Sequence, residues 1–144
     1  MSVFTNILVA IDGSEASDHA LEQAVDEAKV WNAKLHAVYV VETGLFSSLP
    51  SDSTVEIMYG ALESEGNAVL EKAKKTAAKS GVVLVTHMKR GHAGTEIIAL
   101  AQQEKVNLIV SGSHGKSQTD RLLIGSVSTY ITAHSTVTTM VVRS

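Results

Sequence analysis

Cysteine is absent from the 144 residues, which excludes a disulfide scaffold, a Cys-ligated zinc or iron–sulfur centre and a thiol nucleophile. Proline occurs once, at Pro50, aromatic residues make up 4% and there are 10 glycines, a composition outside the collagen-like and low-complexity classes. Long apolar runs are missing too. Ile7 to Ile11 and Val38 to Val41 fall far short of the ~20 residues that a membrane-spanning helix needs. A basic excess is also lacking: 12 Lys and Arg against 15 Asp and Glu give a formal charge of −3. That leaves no electrostatic footprint for a duplex or an anionic membrane, so neither nucleic acid nor a membrane is an expected partner. Met1 to Asn6 includes no basic residue, and Asp12-Gly13-Ser14 breaks the apolar run that follows, which argues against a signal peptide and for a cytoplasmic address.

What is present, 44% hydrophobic and 19% charged residues, fits one globular domain over residues 1–144, burying roughly two thirds of its unfolded surface around one core. Ile7 to Ile11 is short and wholly apolar, as in a strand buried on both faces of a parallel sheet. From Glu15 to about Asn32, Ala20, Leu21, Ala24, Val25, Ala28 and Trp31 recur at helical spacing, with Ser14 as N-cap and Glu15 and Asp18 in the first turn. Trp31 and Leu35 are assigned to the core. Leu35 to Val41 reads as a second strand, Glu42 to Ser53 as a loop holding Gly44 and Pro50, and Thr54 to Lys79 as a second helix with Gly81 as its left-handed cap. Gly60 and Gly66 weaken that helix and mark a candidate break. A strand from Val82 to Met88, a helix from Gly94 to Glu104, a strand from Leu108 to Ser111, a helix from Ser126 to about Ala133 and a strand from Val137 to Arg143 complete the chain. Strands alternating with helices predict right-handed crossovers and a doubly wound, Rossmann-like α/β sandwich, whose ligands bind beyond the carboxyl ends of the strands.

One of those ends is unusual. Ser111 to Ser128 reduces to the skeleton Gly112-x2-Gly115-x9-Gly125-Ser126 and opens directly into a helix. Gly112 and Gly115 allow close backbone approach to a bulky anion, and Gly125-Ser126 offers free amides and a hydroxyl at a helix N-terminus, which together suit a phosphate cradle. Ser and Gly are also the ordinary residues of any strand-to-helix turn, so the skeleton by itself leaves both readings open. Gly115-Lys116-Ser117 is no P-loop, because the first glycine of that motif would fall on Val110, and Ser113 lacks the spacing of a nucleophile elbow.

The skeleton in its strand context resembles the universal stress protein family, in its ATP-binding branch, over essentially the whole chain. Ile7 to Ser14, Val40, Gly91 with Glu96-Ile97-Ile98, Gly112 to Gly115 and Leu122 to Ser128 carry the likeness. It implies a parallel five-stranded sheet of order 3-2-1-4-5 with helices on both faces. It also implies ATP, with Mg2+ or Mn2+ bridging the phosphates, as ligand: Asp12 at the ribose, the backbone of Ala10, Ile11 and Val40 around adenine, and Gly112, Ser113, His114, Gly115, Gly125, Ser126, Val127 and Ser128 around the phosphates. The chain departs from the family at Gly91-His92-Ala93 and Ser135 to Thr139, where prolines are frequent, and its Glu42 to Ser53 loop matches nothing recognisable.

Six histidines contain no i, i+4 helical pair and no H-x-H strand pair, so no metal site is expected from protein side chains. Lys116 and Arg121 are either phosphate neighbours or solvated charges. In Val137 to Arg143, Val137, Thr139 and Val141 alternate with Thr138, Met140 and Val142 on what the fold makes an edge strand, and exposed edges tend to pair, which together with the resemblance implies a homodimer. The functional expectation is a nucleotide-dependent regulatory module of stress response. The alternatives are a nucleotide-free interaction module or a slow ATPase, since no general base or nucleophile is apparent.

Overall fold

A computed structural model describes residues 3–43, 53–113 and 125–143. Its elements are β1 (Asn6–Ala10), α1 (Glu15–Trp31), β2 (Lys34–Glu42), α2 (Ser53–Lys79), β3 (Leu84–Gly91), α3 (Ala93–Gln103), β4 (Leu108–Gly112), α4 (Ser126–His134) and β5 (Thr138–Val142). The strands form one parallel sheet of order β3-β2-β1-β4-β5, so strand order reverses between β1 and β4.

Period-two alternation divides the sheet between two cores. Ile7, Val9, Leu35, Ala37, Tyr39, Leu108 and Val110 pack beneath α1 and α2, which contribute residues such as Ala24, Leu70 and Ala77. Leu8, Val38 and Ile109 face the other way, against Ile97, Leu100 and Ala101 of α3 and Ile131 of α4. Leu35 is fully buried, and Trp31 sits at the edge of its layer, its ring edge-on to Phe4 with centroids 5.7 Å apart.

Local chemistry explains the element ends. Ser14 caps α1 by accepting from Ser17 N, and Asn32 ends it in the left-handed conformation. After α2, Gly81 takes φ +77° and Val82 N donates to Ala77 O, so Val82 belongs to the helix cap and β3 starts at Leu84 rather than Val82. β3 then runs on to Gly91, because β2 continues to Glu42 as its partner. No break divides α2. Gly66 is instead the point where the helix crosses Tyr39 and Met88. Arg90 fastens the same helix, with Nε 2.9 Å from Glu63 Oε1 and its guanidinium 5.0 Å from the centre of the Tyr59 ring.

Candidate functional site

The parallel order brings the C-terminal ends of β1, β2 and β4 to one end of the sheet, together with the start of α4. β1 stops at Ala10, and Gly13 turns the chain with φ 84°. Asp12 Oδ1 accepts from Ser14 N at 2.9 Å, and Asp12 N donates to Ser17 Oγ at 3.2 Å, so the carboxylate is fixed by its own turn and keeps its second oxygen for other donors. Ser17 is 5% exposed and also donates to Ser14 O. Sequence reading missed this residue, because a serine inside a helix gives no signal.

Ala10 and Ile11 point their side chains to opposite faces, Ala10 towards the α3–α4 layer and Ile11 into the α1–α2 core, so the two share an end of the sheet only through their backbone. Just past β1, Ile11 N donates to Val38 O at 3.0 Å, while β2 runs four residues further beside β3. By the alternation of a parallel ladder, the N–H and C=O of Val40 point towards β1 just beyond its last rung.

On β4, Gly112 needs no left-handed backbone; a Cβ there would lie 2.9 Å from the carbonyl carbon and oxygen of Ala16. Its glycine therefore serves the close approach of α1 to β4, a requirement that the phosphate-cradle reading of the sequence did not include. Ser113 joins three elements: just past β4, its N donates to Val142 O at 2.9 Å, at the end of β5, and its O accepts from Gly125 N at the start of α4. Its hydroxyl is 1% exposed and has no hydrogen-bond partner among the described residues. Gly125 is the N-cap of α4 and supplies no side-chain cap, leaving the first amides of the helix without one. Ser126 is exposed, Val127 packs on the smaller core, and Ser128, 2% exposed, donates from Oγ to Gly125 O at 3.1 Å. His114, Gly115, Lys116 and Arg121 lie outside the described residues, as does the loop after β2 between residues 44 and 52.

The described part of the skeleton is thus an uncapped helix start beside a buried hydroxyl without a partner, with a carboxylate on the neighbouring strand end. Such a place donates hydrogen bonds to an anion that brings its own acceptors, and this donor set fits the phosphates of a nucleotide. A cavity of about 250 Å³ between α1 and α2, lined by Leu21, Val69 and Lys72 among others, touches the candidate residues only at Ile11. Among the described residues no three His, Asp or Glu side chains come close enough to hold a metal ion.

The profile of the universal stress protein family matches residues 4–143. The chain belongs to that family. A universal stress protein of Methanocaldococcus jannaschii is 34% identical over 142 residues, covering 99% of this chain and 84% of that one. Universal stress protein YxiE of Bacillus subtilis is 35% identical, covering 98% and 100%. Among solved structures, universal stress protein UspA from Lactobacillus plantarum superposes with a TM-score of 0.91 at 28% identity, covering 99% of this chain and all of that one. Two more distant universal stress protein structures, at 23% and 19% identity, hold cAMP and, in Archaeoglobus fulgidus, dAMP.

Proposed function

We propose that this universal stress protein binds an adenine nucleotide at the strand ends of β1, β2 and β4, with ATP as ligand and Mg2+ or Mn2+ bridging its phosphates, and works as a nucleotide-dependent regulatory module. The start of α4 carries this reading. Gly125 leaves the helix amides without a side-chain cap, and the buried Ser113 hydroxyl beside it has no partner among the described residues, a combination that costs stability unless an acceptor arrives. The amides of Ser126, Val127 and Ser128 would seat phosphate oxygens together with Gly112, Ser113, His114, Gly115 and Gly125, and Ser126 would add a hydroxyl. Asp12 would take the sugar, where its spare oxygen is useful and phosphate repulsion is avoided.

For the base, the N–H and C=O of Val40 next to the ends of Ala10 and Ile11 offer the donor–acceptor pair that the Watson–Crick edge of adenine requires. The cAMP and dAMP complexes of distant relatives support adenine as that base. Bound ATP supplies charge that its divalent ion neutralises, largely through phosphate oxygens. No catalytic residue is assigned, and hydrolysis is at most slow. Half-exposed Thr139 to Val142 on edge strand β5 support pairing with a second copy, a homodimer.

Thermal unfolding with and without ATP and Mg2+, combined with mass spectrometry of small molecules released on denaturation, tests the reading. Nucleotide at about 100 times its dissociation constant adds roughly 2.7 kcal/mol, a rise of several degrees. No rise and no carried adenine nucleotide would assign the chain to nucleotide-free interaction modules instead.

A further inference from the structure

At the opposite end of the sheet from the candidate site lies a buried polar chain that nucleotide binding does not use. His36 on β2 and His87 on β3 stack with ring centroids 5.2 Å apart, and His36 Nδ1 lies 3.0 Å from His87 Nε2. His36 is 1% exposed, whereas His87, on the edge strand, is half-buried. The other nitrogen of His36, Nε2, lies 2.9 Å from Asn6 Oδ1 on β1.

Asn6 decides where the protons are. Its Nδ2 donates to the carbonyl of Glu104, just past α3, so Oδ1 faces His36 and can only accept. His36 therefore carries its hydrogen on Nε2 and keeps a lone pair on Nδ1, which the Nε2–H of His87 fills. The hydrogen bonds run in one direction, from edge strand β3 through β2 and β1 to the end of α3. The charges around them are Lys34 on β2, Lys89 on β3 and Glu104 after α3. Burial is the main cause that holds both imidazoles below the usual histidine value; for His36 the charges of His87 and Lys34 add to it and Glu104 opposes, and for His87 Glu104 opposes while Lys89 and Lys34 add.

We propose that the His36–His87 pair is a proton-operated latch on edge strand β3, closed while His36 is neutral and opened when acid protonates its Nδ1. A first proton on Nδ1 of His87 leaves the chain of hydrogen bonds intact. A second, on His36, consumes the lone pair that His87 uses and sets two N–H groups against each other around a buried ring, so the rings must part. As an edge strand, β3 has only β2 as a pairing partner, and His87 is the ring nearer to water, so the movement falls on β3. The unfolded chain takes up these protons near 6.5 and the folded chain only at lower pH. The stabilisation is therefore complete above the unfolded value and lost as pH falls through the folded ones.

NMR of the full chain tests this without any ligand. In the parent, both rings are expected as Nε2–H tautomers at neutral pH and to titrate below 6.5. Exchange of the β3 amides that pair with β2, corrected for intrinsic rate, should rise by up to about tenfold per pH unit as pH falls from 6.5 to the folded value of His36 and level off below it. His87→Gln keeps a donor for His36 Nδ1 and can turn its amide to accept from the protonated ring, so its β3 exchange should stay flat over the same range. Titration of either parent ring at or above the ordinary value, or an unchanged acid response in His87→Gln, would overturn the latch.

Discussion

A valine at Gly125 would place a branched side chain at a helix start where amides lie uncapped next to a buried hydroxyl that has no partner among the described residues. On the nucleotide reading, Gly125→Val weakens ATP by at least about 100-fold, near 2.7 kcal/mol, in isothermal titration calorimetry. Its φ of −66° suits any residue, so stability should change little. Asp12→Ala behaves differently, because Oδ1 also holds Ser14 N: about 1 kcal/mol of stability goes with that bond, and ATP weakens by about tenfold. Equal ATP affinity in both variants and the parent would remove these residues from the site. At this scale sequence reading was partial. The glycine at position 112 was legible as a demand for close approach, but which body approaches, an anion or the backbone of Ala16, depended on where α1 lands. That the Ser113 hydroxyl is buried with no partner among the described residues had no sequence signature, since it results from burial.

Helix α2 carries two glycines that look alike in sequence and differ in their surroundings. A Cβ at Gly60 meets nothing within 4 Å, whereas one at Gly66 would lie 2.6 Å from Tyr39 Cδ1 and 2.7 Å from Met88 Cε. Gly60→Ala therefore stabilises the fold by up to about 1 kcal/mol through helix propensity alone. In Gly66→Ala the same gain is outweighed by about 1–3 kcal/mol of overpacking against Tyr39, which is 4% exposed. Opposite shifts in urea midpoint, with unchanged slope, would check the pair. Propensity could flag both glycines as weak points, but it could not tell an uncrowded position from a crossing point. The start of β3 has a similar history: Val82 is β-branched and apolar, yet its amide is committed to closing α2 at Ala77.

Taken whole, the sheet of the described residues ends in two edges, β3 and β5, and they are treated differently. β3 is fastened by Arg90 to Glu63 and by His87 to His36, while Thr139 to Val142 of β5 stay half-exposed. If β5 pairs with a second copy, the chain sediments at about twice 15.3 kDa, and Val141→Arg, which sets like charges across the two-fold axis, returns it to monomer. Monomeric behaviour of the parent at concentrations of tens of micromolar would reject that pairing. The order of elements, the two-faced burial of the short apolar strands and the glycine skeleton after β4 were determined by the sequence, because each depends on local periodicity or on turn chemistry within a few residues. Pairings between distant positions were decided by the tertiary structure. His36 meets His87 across 51 residues, and Ser113 reaches both Val142 and Gly125, because strand register brings their atoms together, and register follows from packing both sheet faces at once.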